Sequence, residues 1–279
     1  MRRGLRSAAM LLLAAALPAC AVTSDGEGSV ERELRYTPPD WPQALALDVY
    51  EPVGAGPFPA VLLVHGGAWQ RGSRAHMAPV ARQLAAHGYV AVNVDYRLAP
   101  AYRFPAPLQD LQQALRWMQA NAARYRIDPQ RLAAWGYSAG ANLAALLGGI
   151  GTAPPYGAAP ARLRAVVAGG TPADLTRFAD NRMVEAYLGA PCSQAAALCR
   201  AASPALQVDA QDPPVFLYHG SDDRLVPIAQ AQAYGRALDA AGVPNALFVV
   251  SGAGHIGAVR HGDDAVRAAL EFLGRHLRG

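Results

Sequence analysis

A chain of 279 residues that is 52% hydrophobic and 16% charged can bury a full core, and no repeat or low-complexity run divides it. All 25 basic residues are arginine, which excludes mechanisms that need a lysine amine: a Ser-Lys dyad, a Schiff base or a Walker-type phosphate loop. The formal charge of +4 does not point to nucleic acid, because Arg2, Arg3 and Arg6 lie in a segment expected to be removed and the remaining arginines are scattered.

Met1 to Ala19 has the parts of an export signal: a basic start, an apolar run from Ala8 to Leu17, and small residues before a cysteine. At about 1.5 Å per residue, the run is too short to cross a hydrocarbon core of about 30 Å as a helix. Its end, Leu17-Pro18-Ala19-Cys20, resembles the bacterial lipobox. That resemblance implies lipidation of Cys20 and a protein held outside a bacterial membrane, periplasmic or cell-surface, by acyl chains that do not span it. An ordinary signal cut nearby, with Cys20 incidental, is the alternative. Val22 to Glu33 is small and polar and reads as a tether, so residues 20–44 form a tether and first edge segment ahead of a single domain over 45–279.

Within that domain short β-rich runs alternate with segments of helical period. Strands are predicted at Ala46 to Tyr50 and Val61 to His65, then a helix at Ala78 to His87 and a strand at Tyr89 to Val94. Leu108 to Tyr125 is amphipathic, with Leu108, Leu111, Leu115 and Met118 on one face, and a strand follows at Arg131 to Trp135. Next come a small-residue helix at Ala139 to Leu147 and strands at Ala165 to Ala168 and Val215 to Tyr218. A helix at Ile228 to Ala241, a strand at Ala246 to Val250 and a helix at Asp263 to Leu277 complete the series. This order predicts an α/β fold with a doubly wound, mostly parallel sheet, whose ligands bind beyond the carboxyl ends of the strands. Thr171 to Pro214 stands outside the alternation and reads as a small partial cap. In an exported chain Cys192 and Cys199 are expected to form a disulfide, since no histidine between them suggests a metal site; two buried free thiols are the alternative.

Gly136-Tyr137-Ser138-Ala139-Gly140 matches the nucleophile elbow G-x-S-x-G between a predicted strand and a predicted helix. Ser138 is therefore the candidate nucleophile, with small neighbours for the tight turn and a helix N-terminus facing any oxyanion. His65-Gly66-Gly67-Ala68-Trp69 follows an apolar strand, where a glycine-rich loop can aim amides at a developing negative oxygen. The base should come late in the chain, and His255 sits in the glycine loop after the strand ending at Val250. His261 and His276 fall near or in the last helix and read as surface residues, and His219 reads as structural. The acid belongs after the preceding strand, where Asp222 and Asp223 are adjacent.

With these motifs, and with Val94-Asp95-Tyr96-Arg97-Leu98-Ala99-Pro100 and Phe104-Pro105-Ala106-Pro107-Leu108-Gln109-Asp110, the chain from about Ala46 to Leu277 resembles α/β-hydrolase esterases of the hormone-sensitive-lipase-like and feruloyl-esterase-like groups. The resemblance implies the α/β-hydrolase fold and an oxyanion hole from the amides of Gly67, Ala68 and Ala139. Through the pattern HG-x-x-D-x-x-VP it selects Asp223 as the acid, leaving Asp222 to form a turn, and it makes Asp95, Arg97 and Asp110 braces for nearby loops. Two departures concern the subfamily: Tyr137 stands where the lipase-like group usually has an acidic residue, and the oxyanion loop ends HGGA in place of HGGG. The implied activity is that of a serine carboxylesterase without metal or organic cofactor, taking small-molecule esters of short acyl or aryl type. An aryl-formamidase-like amide hydrolase is the alternative chemistry, and a non-catalytic surface lipoprotein using the scaffold for binding is the alternative of another class.

Overall fold

In a computed structural model, the structure describes residues 23–25, 28–149, 161–178, 181–260 and 262–278. The strands are β1 (Thr23–Asp25), β2 (Gly28–Arg35), β3 (Ala46–Glu51), β4 (Phe58–Val64), β5 (Val90–Val94), β6 (Ile127–Tyr137), β7 (Ala165–Gly169), β8 (Val215–Gly220) and β9 (Asn245–Val250). They form one sheet in the order β1-β2-β3-β5-β4-β6-β7-β8-β9, parallel from β5 to β9 across that order and antiparallel at the β1, β2 and β3 pairings. The central strands are almost wholly apolar because both faces are covered.

The period-2 alternation of β4 shows how the core divides. Val61 and Leu63 point to the face covered by α1 (Ala78–Ala86) and α8 (Asp263–Leu277), where they meet Leu84, Phe272 and Leu273. Leu62 and Val64 point to the other face, under α2 (Ala106–Ala120), α3 (Ala139–Gly149) and α6 (Ala229–Ala240), with Leu111, Leu143 and Leu238. The chain runs outward from β4 to β5 and then returns past β4 to β6. The loops after β4 and β6 therefore diverge at the switch point of the winding, where a cleft must open.

The insertion over residues 171–214 carries α4 (Arg182–Leu188) and α5 (Ala196–Ala201), and Cys192 is disulfide-bonded to Cys199 with Cα atoms 5.4 Å apart. A short helix α7 (Gly257–Arg260) precedes α8.

Three expectations need correction. The tether expected over Val22 to Glu33 is strand in its described residues: Thr23–Asp25 is β1, and Gly28 to Glu33 belongs to β2, with Ser29, Val30 and Glu31 opposite Glu51, Tyr50 and Val49 of β3. A strand near the sheet edge requires little apolar content once its ladder is made, and Glu31 further accepts a 2.8 Å hydrogen bond from Tyr125 Oη. Helix α2 stops at Ala120, not Tyr125, where the Asn121 side chain bonds back to the Trp117 carbonyl and the chain turns through Arg126 at φ 54°. Strand β6 begins four residues before Arg131, because Ile127 pairs with Phe58 ahead of a register irregularity. The signal segment and Cys20 lie outside the described residues.

Candidate active site

At the end of β6 the chain reverses into α3 within one residue, and Ser138 takes that turn at φ 55°, in the left-handed region. The strain is held by the amide of Ser138 bonding Gly169 O at 2.7 Å and by Asn142 N bonding Ser138 O at 3.1 Å. A Cβ on Gly136 would overlap the carbonyl of Gly140, and one on Gly140 would overlap the backbone of Val64 and His65. The two glycines of the motif are thus required by close packing of the elbow on itself and on β4.

The glycine-rich loop after β4 runs through three successive positive φ angles, at Gly67 (122°), Ala68 (54°) and Trp69 (60°). Gly67 must lack a side chain, since a Cβ would strike the carbonyl of Arg71. His65 is buried, stacks on Tyr96 at 4.3 Å and donates through Nδ1 to Gly66 O at 2.7 Å. Because a trans peptide is planar, fixing that carbonyl also fixes the Gly67 N–H in the opposite direction. Burial pulls the His65 imidazole down to about pKa 4, against the raising effect of the Gly66 bond, so it is neutral near pH 7. Among the described residues the amides of Gly67 and Ala68 have no hydrogen-bond partner, and Ala139 opens α3, whose first amides have no intrahelical acceptor. All three residues face one cavity with Ser138.

His255, buried in the loop after β9, reaches Ser138 Oγ through Nε2 at 2.9 Å and Asp223 Oδ2 through Nδ1 at 2.6 Å. Asp223 lies beyond β8, and its other oxygen accepts the amides of Leu225 (2.9 Å) and Val226 (2.8 Å). Burial opposes its charge, but hydrogen bonds from His219, His255 and the Val226 amide outweigh that and hold the carboxyl well below the usual carboxylate range. His219 is wholly buried, donates through Nε2 to Val226 O at 2.7 Å, and lies 3.3 Å from Asp223 Oδ2. The neighbouring Asp222 is exposed, and among the described residues its carboxylate accepts only a bond from Ser221 Oγ, so Asp223 is the carboxylate that meets the imidazole. Together these groups can relay a proton from a serine hydroxyl to an imidazole backed by an anion.

The brace residues are where the resemblance implied. Arg97 Nε is 2.8 and 3.0 Å from the two oxygens of buried Asp110, which also accepts Trp41 Nε1 at 2.8 Å. Asp95 accepts the amide of Arg74 at 2.8 Å. His276 lies half-buried on α8 against Phe272, and His261 is outside the described residues. Among the described residues no cluster of His, Cys, Asp or Glu is arranged to hold a metal.

The cavity measures about 350 Å³ and its walls beyond the reacting groups are mainly apolar. Phe178, Met183 and Val184 of the insertion and Leu225 and Ile256 of the acid and histidine loops form much of it. The insertion is seated by Tyr187, stacked on Trp69 of the loop after β4 at 4.2 Å, and by Asn142 Nδ2, which donates to Pro172 O (3.0 Å) and Ala202 O (2.9 Å). The insertion is legible in the sequence as a rim, but Phe178, Met183 and Val184 follow no motif that would mark them as its wall.

The family model described as BD-FAE matches residues 47–238, most of the chain and all of the scaffold that carries Ser138 and Asp223. The chain belongs to the BD-FAE family. Like other α/β hydrolases, this BD-FAE member has relatives among esterases. It is 33% identical over 215 residues to Esterase LipC of Mycobacterium tuberculosis, covering 71% of this chain and 53% of the relative, so the chain spans about half that relative's length. The propionate-bound thermophilic esterase Est2 of Thermogutta terrifontis superposes with a TM-score of 0.73 at 26% identity, over 92% of this chain and 94% of that one. A truncated carbohydrate esterase from gut microbiota gives a TM-score of 0.82 at 21% identity, over 93% and 100% respectively, which is a likeness of fold.

Proposed function

We propose that the chain is a serine carboxylesterase that cleaves short acyl or aryl esters through an acyl-enzyme on Ser138. The observation that carries this reading is the continuous Ser138–His255–Asp223 hydrogen-bond relay opening on a cavity lined by Gly67, Ala68 and Ala139. His255 takes the Ser138 proton as Oγ bonds to the ester carbonyl carbon, and the oxyanion forms against the free amides. The imidazolium, stabilised by Asp223, returns the proton to the leaving alcohol as the C–O bond breaks, and water repeats the sequence to release the acid. A cavity of this size with apolar walls suits small acyl or aryl groups, in line with the propionate found in the Thermogutta enzyme and the esterase names of the relatives.

A fluorophosphonate probe and a p-nitrophenyl ester series test it. Wild-type protein should be labelled and should turn over acetate and butyrate esters best, with kcat/KM falling for chains longer than roughly eight carbons. Ser138→Ala should abolish labelling and lower kcat by roughly 10⁴-fold or more. Equal labelling of the two proteins would remove Ser138 from the mechanism, and faster turnover of N-formyl aryl amines than of esters would move the activity to amides.

We infer also that the protein is exported and lipidated at Cys20, a reading supported by the basic start, the apolar run and the Leu17-Pro18-Ala19-Cys20 sequence.

A further inference from the structure

The geometry points to Tyr137, the residue between the first glycine and the serine of the elbow, as a positioning residue that holds His255 in register with Ser138. This inference rests on the hydrolase reading above. The Tyr137 hydroxyl donates to the backbone carbonyl of His255. Its ring lies 5.3 Å from the imidazole, at 46° to it.

The loop that carries His255 is otherwise tied to the acid side of the site. Asp222 N bonds Ala253 O at 3.0 Å and Gly252 N bonds Ser221 Oγ at 2.8 Å, so the histidine and acid loops are fastened to each other. Between the elbow and the loop over residues 251–256, the described residues make two hydrogen bonds: the imidazole to Ser138 Oγ, and Tyr137 Oη to His255 O. The first must break and re-form in each half-reaction, because the imidazole gives its proton to the leaving group. The second lies outside the reacting atoms and can persist throughout. Since Tyr137 is joined covalently to Ser138, its hydroxyl sets the position of the base relative to the nucleophile.

The surroundings suit this role. Gly170, at φ 56°, packs where a Cβ would come within 2.9 Å of the Tyr137 ring and hydroxyl and 3.1 Å of His255 Cε1, so its missing side chain makes room for both. Burial, with Tyr218 and Asp223 nearby, pushes the phenol far above its ordinary range and keeps it a donor at any working pH. A carbonyl oxygen needs a donor, which a tyrosine supplies and an ionised acidic residue at this position could not.

The test is a double-mutant cycle on p-nitrophenyl acetate. Tyr137→Phe keeps the ring and deletes the donor; it should lower kcat, and the rate of phosphonylation of Ser138, by up to about tenfold, the rate equivalent of one net hydrogen bond. KM should stay within about twofold, since no substrate contact of the hydroxyl is removed. In a His255→Ala background the same change should cost less than about twofold, because the hydroxyl acts through the imidazole. An unchanged kcat in Tyr137→Phe, or the same loss persisting without the imidazole, would overturn the inference. If wild-type protein shows no Ser138-dependent labelling or turnover, the hydrolase reading itself fails.

Discussion

His65 shows how a residue that does not line the cavity can orient the loop that does. Its imidazole is folded in neutral form, with a pKa of about 4 against an ordinary value near 6.5. The unfolded chain therefore binds the extra proton between those values, so this contribution is fully present above about pH 6.5 and is lost as pH falls toward about 4. The full loss is on the order of 3 kcal/mol. Urea unfolding at pH 7 and pH 4.5 should show wild type weakening on acidification and His65→Gln weakening less; identical slopes would exclude His65 as the group responsible. Ser138 and His255 were legible because each sits in a local pattern, a serine between glycines and a histidine in a glycine loop, whereas the choice of Asp223 over Asp222 came only with the family resemblance. Tyr137 and His219 carried no comparable signal, since what each contacts is set by a loop from a different part of the chain.

Single elements were legible where burial imposes a period. β4 and β5 are mostly Val, Leu and Ala, and α8 has one apolar stripe, so their existence follows from composition, and the limits of α8 with it, although β4 starts at Phe58, three residues before the predicted Val61. β2 was missed for the opposite reason: its polar sequence, Gly28-Ser29-Val30-Glu31-Arg32-Glu33, pairs by backbone and by side-chain bonds such as Arg124 to Glu31 and Glu33 N to Asp48, which only the folded sheet supplies. A chain beginning at Val22 keeps β1 and β2 and is the reference for melting. A chain beginning at Tyr36 leaves β3 as a bare edge and should melt roughly 5–10 °C lower, with a tendency to aggregate. Equal melting of the two would show that β2 adds nothing to the sheet.

For the whole molecule, the proposed attachment at Cys20 and the proposed catalysis rest on separate parts of the chain. If Cys20 carries acyl chains, membrane fractionation should recover the wild-type chain with the membrane, while Cys20→Ser should be released with esterase activity intact; the same partition for both would dispose of the anchor. The sequence by itself determined the alternation of strands and helices, the glycine turns and the candidates Ser138 and His255, with Asp223 chosen over Asp222 through the family resemblance, because hydrophobic period and backbone sterics act over a few neighbouring residues. Tertiary structure alone decided that β2 joins the sheet, that Tyr187 seats the rim on Trp69, and that one hydroxyl from the elbow reaches the His255 loop. Each of those contacts joins segments far apart in the chain, and such a contact is fixed only when the packing of the whole sheet brings its two sides together.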